Sequence, residues 1–279
     1  MNRYVIALQA VALLLAGVRI GHSQSVALAG ARLHASVEIT PQGVFIYRYT
    51  VENGARSTAG VSSVAIDVVP PPATTSSVGR ESVTLALNAP SPRWTPTLGA
   101  DSTARWIATK DANFVLPKQT LRGFSISGRG LPSLRRYTLG PRIDAERAAI
   151  MPPGDDPGDT QRYQQDLEQY IASQSITGTT LAPAGSAAAT GDALLANVIS
   201  EVGQARSLGW IANDVVARNL RTKLEEARDA FARRQVDSAT KVLEKLHIDV
   251  AAQSGKSLTS EAVGLVDMSV QYVLQTAAR

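Results

Sequence analysis

Hydrolysis by an activated serine needs an imidazole that can take the nucleophile's proton. After residue 23 this chain offers His34 and His247. His34 falls at the start of a strand-like run, no G-x-S-x-G elbow occurs anywhere, and the residue reads as a surface side chain. His247 lies beside Leu246 and Val250 at an inward-leaning helical position, where a core-edge histidine bonded to a nearby carbonyl is expected. Asp155, Asp156 and Asp159, with Gly154 and Gly158 between and before them, supply hard oxygen donors of the kind calcium takes. Their spacing lacks the alternating donors and terminal glutamate of an EF-hand, so a solvated acidic linker is the reading. Glu52, Glu81, Asp101 and Asp111 are acids in strand-rich sequence, and nothing fixes two of them at the distance glycosidic cleavage requires. No catalytic residue, cofactor or metal site is therefore assigned.

Charge offers a different chemistry. The chain has 279 residues, a formal net charge of +4 and no cysteine, which excludes disulfides and thiolate metal sites. Its basic excess is concentrated between Gln24 and Asp144. Arg122, Arg129, Arg135, Arg136 and Arg142 follow one another closely there, near Phe124 and Tyr137. Such a group attracts phosphate, sulfate or carboxylate at long range, although a solvated basic surface has the same composition. The interleaved aromatics of an RNA-binding sheet and a DNA-reading helix are both missing, which disfavours nucleic acid. An anionic cell-surface polysaccharide or another envelope protein is the expected partner of Arg122, Arg129, Arg135 and Arg136.

The elements that must position these residues divide the chain. Phe45, Tyr47, Tyr49 and Val51 alternate with Ile46, Arg48 and Thr50, the period of a strand with one buried face. Asn53 and Gly54 follow as a turn signal. Further strands are expected at 33–39, 61–69, 82–87, 104–108, 123–127 and 136–139, punctuated by prolines and without a helical period between them. Residues 151–158 carry Pro152, Pro153 and Pro157 and should continue neither strand nor helix. One short helix is expected at 161–173, then a flexible linker of small residues over 178–190.

From Asp192 the rhythm changes to threes and fours. Leu195, Val198, Val202 and Ala205 form one stripe, closed by Gly209. Val216, Leu220, Leu224, Ala227 and Phe231 form the second, opened by Asn213 or Asp214. The third, Ala239, Val242, Leu243, Leu246 and Val250, is capped by Asp237 or Ser238 and stopped by Gly255. Thr259, Ser260 and Glu261 open the fourth, Val263, Val266, Val270 and Val273.

The run Leu208-Gly209-Trp210-Ile211, then Leu220, Lys223-Leu224 and Ala227, then Ala252-Gln253-Ser254-Gly255-Lys256, Leu258-Thr259 and Gln271-Tyr272-Val273, resembles the FIMAH domain. It departs from that pattern at Gln235, where glycine is common, and at Leu246-His247, where phenylalanine and an aliphatic residue are usual. The resemblance spans roughly 192–276 and implies an accessory helical module of secreted bacterial proteins, without a reaction.

At the other end, Arg3 precedes an apolar run at 5–18, about the length of a signal-peptide core and short for a membrane span. Gly21-His22-Ser23 places small residues for cleavage before Gln24. The expected organisation is a signal peptide (1–23), an antiparallel immunoglobulin-like β-sandwich (24–143), a linker with one short helix (144–190) and a FIMAH-like four-helix module (191–279). The expected function is non-catalytic: a secreted or periplasmic binding or structural protein of the bacterial envelope or matrix, without a membrane span once the leader is removed. The alternatives are a secreted hydrolase with its site in the sandwich loops, and an assembly subunit. Two separate cores are expected, mobile relative to each other unless the helix at 161–173 ties them.

Overall fold

The structure, a computed structural model, describes residues 27–68, 85–141, 157–184 and 191–277. The expected leader, Pro70, Pro71, Pro72, Glu81, Arg142, Asp155 and Asp156 lie outside these residues. Nine strands and five helices are described: β1 Ala31–Ile39, β2 Phe45–Asn53, β3 Val61–Asp67, β4 Ala86–Asn88, β5 Trp94–Leu98, β6 Thr103–Ala108, β7 Gln119–Gly128, β8 Leu131–Pro141, α1 Pro157–Gln174, β9 Ile176–Ala184, α2 Gly191–Ser207, α3 Asp214–Ala232, α4 Val236–Gln253 and α5 Ser260–Ala277.

The strands make two antiparallel sheets, ordered β1-β2-β7-β4 and β5-β6-β3-β8-β9. Their inner faces meet through aromatic rings: Tyr49 and Phe124 of the first sheet lie 6.2 and 5.8 Å, centroid to centroid, from Trp106 of the second. Phe124 also meets Trp94 edge-on at 5.0 Å. Such pairs add roughly 0.5–1.5 kcal/mol each beyond burial. The β2 tyrosines bond across the gap as well, Tyr47 donating to Gly130 O (2.7 Å) and Tyr49 to Leu181 O (3.0 Å).

Asn53 departs from its expected role in a turn. It ends β2, and its buried amide donates to Ala59 O (2.9 Å) and Val115 O (2.7 Å), so it ties loops together. Two strands were absent from the pattern. β5 contains Pro96 and β9 contains Pro183, yet both are outermost in their sheet, where a residue without an N–H can sit. Residues 176–184, expected within or beside a flexible linker, pair with β8 from Leu131↔Ala184 to Leu139↔Ile176. α1 begins at Pro157, inside the run expected to exclude helix, because proline is tolerated in a first turn that lacks intrahelical N–H partners.

The four C-terminal helices carry the anticipated stripes inward, and the connections hold one another. Ile211 and Leu258 form a β-bridge, Ala212 N donates to Ser257 O (2.9 Å), and Thr259 N donates to Trp210 O (3.0 Å). Asn213 caps α3, accepting from Val216 N at 3.0 Å. The expected cap of α4 does not form. Gln235 is the cap residue, with no side-chain bond, and Asp237 lies inside the first turn, because Arg233 and Arg234 alone separate Gln235 from α3.

Buried side chains of the sheets and helices form one contiguous core rather than two. α5 lies along the seam between the outer strands β1 and β9. A Cβ on Gly264 would come within 2.9 Å of Leu181 Cδ1 and 3.1 Å of Val37 Cγ2, so only glycine lets the helix backbone approach both strands. Tyr272 of the same helix packs on Phe45 of β2 (5.7 Å). β9 in the sheet and α5 along its edge, rather than the helix at 161–173 alone, join the strands to the C-terminal helices. No helix among the described residues is long and apolar enough to cross a membrane.

Candidate functional site

An outermost strand leaves a row of backbone N–H groups without ladder partners. On β1, two successive outward positions are answered by side chains. The Leu33 main chain hydrogen-bonds the Tyr137 phenol of β8, and Ala35 N donates to Glu261 Oε1 of α5 at 3.0 Å. Glu261 stands in the first turn of α5, as the polar entry Thr259-Ser260-Glu261 anticipates, but its carboxylate reaches outside its own helix.

The second contact of that carboxylate is His34, whose Nδ1 lies 3.6 Å from Glu261 Oε1 while Nε2 lies 3.4 Å from Glu52 Oε2. Glu261 is 5% exposed; His34 and Glu52 are about half exposed. The hydrogen bond to Glu261, opposed by desolvation and aided by the charges of Glu261 and Glu52, raises the imidazole above its ordinary value. Burial alone would raise Glu261. Hydrogen bonds from His34, the Ala35 amide, its own amide and Thr259 outweigh that and hold the carboxyl at about 2. Burial pushes the neighbouring Tyr137 phenol up, against the Leu33 main chain and Arg32. An imidazole bracketed by two carboxylates can hold or pass a proton. Here each ring nitrogen already faces an acid, and no hydroxyl nucleophile is recorded on it among the described residues.

His247 also differs from expectation, since its partner is a carboxylate rather than a carbonyl. Nδ1 lies 2.5 Å from Oδ1 of Asp267, which is 5% exposed, and Gln271 Nε2 donates to Asp267 Oδ2 at 2.8 Å. Both partner acids, Glu261 and Asp267, come from α5. Sequence spacing could not link them to their histidines, because His34 and Glu261 are 227 positions apart in the chain. The available clue was an acid inside an otherwise apolar helical stripe, and Asp267 is one.

A third acid, half-buried, fastens α2 to β8. Glu201 accepts from Ser133 Oγ and from Leu134 N (3.4 Å). Burial raises its carboxyl, against the Ser133 and Leu134 bonds and the nearby Arg135 charge.

The arginines named from the sequence do not share a face. Arg136 is exposed on β8, whereas Arg135, the next residue, turns to the opposite side, where its Nε is buried. Arg129 is exposed between β7 and β8, and Arg142 lies outside the described residues. Arg122 is exposed on β7 of the other sheet, opposite Thr50. Its direction is set by Gly123 (φ +106°), an extra residue in the β2–β7 register that allows Phe124 and Ile126 to stay inside. A side chain at Gly123 would meet Pro90 Cα at 3.0 Å.

Of the three acids read as a solvated linker, Asp159 stands in the first turn of α1, 3.5 Å from Arg162 Nη1. Asp101 pairs with Arg105 between β5 and β6, and Asp111 begins a single 3-10 turn; neither is on the sheet that carries Glu52. No group of three or more His, Asp or Glu side chains able to hold a metal occurs among the described residues.

No family model matches this chain, and no curated protein matches it. Among solved structures, it is similar to an uncharacterized protein from Nocardia farcinica whose crystal structure reveals an immunoglobulin-like fold, with 17% sequence identity over 44% of this chain and 91% of that one and a TM-score of 0.28.

Proposed function

We propose that the protein is an exported, non-catalytic binding or structural protein of the bacterial envelope or extracellular matrix. In this reading an immunoglobulin-like β-sandwich presents the recognition surface, and a four-helix module similar to FIMAH is a fixed accessory unit upon it. Export rests on Arg3, the apolar run 5–18 and the small residues before Gln24.

The observation that carries the proposal is the outer face of the four-stranded sheet. Arg32 on β1, Arg48 on β2 and Arg122 on β7 all point outward, among Ser36, Thr50 and Ser127. Glu38 occupies Arg48 at 2.5 Å and Glu52 faces His34. Arg32 and Arg122 form no ion pair among the described residues; on β2, Glu52 stands opposite Arg32 and Thr50 opposite Arg122. An open face whose arginines outnumber its two acids, Glu38 and Glu52, suits a polyanion better than a buried small molecule, so an anionic cell-surface polysaccharide is the preferred ligand and another envelope protein the second. A rival hydrolase of the serine type on the sandwich would draw its imidazole from His34, both of whose ring nitrogens are turned to carboxylates.

The test is retention of the mature protein on immobilised heparin, a sulfated polysaccharide, against neutral dextran. Arg32→Ser with Arg122→Ser is expected to weaken binding roughly tenfold, equivalent to about 1.4 kcal/mol. Arg129→Ser with Arg136→Ser is expected to change little. Unaltered retention of the first double variant would remove the outer face as the recognition surface.

A further inference from the structure

The helices meet the sheets along α5, and the only imidazole at that seam among the described residues is His34. We propose that Glu52, His34 and Glu261 form a pH-responsive latch that fastens the start of α5 to the outer strand of the four-stranded sheet. This goes beyond the binding reading and does not depend on it.

The geometry has three parts. Glu261 is almost wholly buried and accepts the outward Ala35 N–H, so it bridges helix and strand directly. His34, on the adjacent position of the same strand, places Nδ1 toward Glu261 and Nε2 toward Glu52 of β2. A protonated imidazole here presents an N–H and a positive charge to both acids, at 3.6 and 3.4 Å, whereas a neutral one can present an N–H to only one and leaves the other facing a lone pair. The surrounding groups do not supply a substitute cation at the carboxylate. β8 contributes Tyr137, whose phenol bonds the Leu33 main chain; β9 contributes no titratable side chain; Arg32 is the neighbouring charge on β1 itself. The second imidazole, His247, faces Asp267 within the helices.

The direction follows from the two ends of the latch. His34 is raised above 6.5, so its contribution is complete below 6.5 and is lost as pH rises through the raised value. Glu261 is held at about 2 from an ordinary 4.5, so its contribution is complete above 4.5 and is lost as pH falls towards about 2. The latch is tightest in mildly acidic solution, between those limits, and loosens on the alkaline side by neutralisation of His34.

The test is hydrogen exchange of the Ala35 amide in the full-length mature protein from pH 5.5 to 9, each rate divided by the intrinsic rate at that pH. His34 is titrated in parallel by NMR. Protection of Ala35 is expected to fall across the His34 titration, by about tenfold for each unit by which the imidazole is raised. His34→Gln keeps a hydrogen-bonding side chain without a charge and is expected to give a flat profile; His247→Gln is expected to keep the wild-type profile. The latch is overturned if wild-type Ala35 protection is constant over the range, or if His34→Gln shows the same decline.

Discussion

His34 and His247 each turn an imidazole toward a buried acid of α5, but the two pairs join different things. His247 and Asp267 connect neighbouring helices 20 positions apart, with Gln271 completing the acid's bonds from one turn further on. His34 and Glu261 connect a strand to a helix, and there the acid also terminates a strand edge through the Ala35 N–H. The same chemistry is a local brace in one case and a seam between two kinds of secondary structure in the other. The comparison teaches that a buried carboxylate is worth what its removal would orphan. At Glu261 an edge amide loses its acceptor, whereas at Asp267 a half-exposed imidazole and a glutamine can turn to water.

That difference sets the order of expected effects. Glu261→Ala should destabilise the protein by about 3 kcal/mol in urea unfolding at pH 6, because it leaves the Ala35 N–H buried without an acceptor. It should also abolish the acid-side loss of stability between about pH 4.5 and 2 that the depressed carboxyl of the parent produces, with the parent losing stability as pH falls. An equal effect of Asp267→Ala would break the comparison. Gly264→Val should cost about 1–3 kcal/mol, since its branches must enter the space occupied by Leu181 and Val37. Its loss should appear in exchange protection of β1 and β9 before that of α3. His247→Gln should cost about 1 kcal/mol or less, read from the same unfolding curves, because the ring is 41% exposed and an amide can still donate to Asp267.

Much of the architecture was legible where one periodicity ran without interruption. β2 is readable from Phe45, Tyr47, Tyr49 and Val51 alone, since alternate burial is what an amphipathic strand demands. The stripes of α2 to α5 are readable for the same reason at a different period. β5 and β9 were not readable. Pro96 and Pro183 argue against a strand unless its place at a sheet edge is known, and that place is a property of the whole sheet. The candidate site was less legible still. His34 showed itself as a polar residue on an alternating strand and Glu261 as an acid at a helix entry, each with a sufficient local explanation. Arg135 and Arg136 looked like one basic patch, but adjacent strand residues face opposite ways, while Arg122 owes its outward direction to the extra residue at Gly123.

By itself, then, the sequence determined the pleated or coiled character of the segments where one periodicity runs unbroken, β2 and α2 to α5 among them, because that choice follows from the local spacing of apolar side chains and from turn and capping residues. Only the tertiary structure decided that one core serves both, that β9 joins the sheet and that α5 lies across its seam. Those outcomes depend on contacts between residues far apart in the chain, such as Gly264 with Val37 and Leu181 or Glu261 with Ala35, and no local pattern encodes which distant surface an exposed edge or a buried charge will meet.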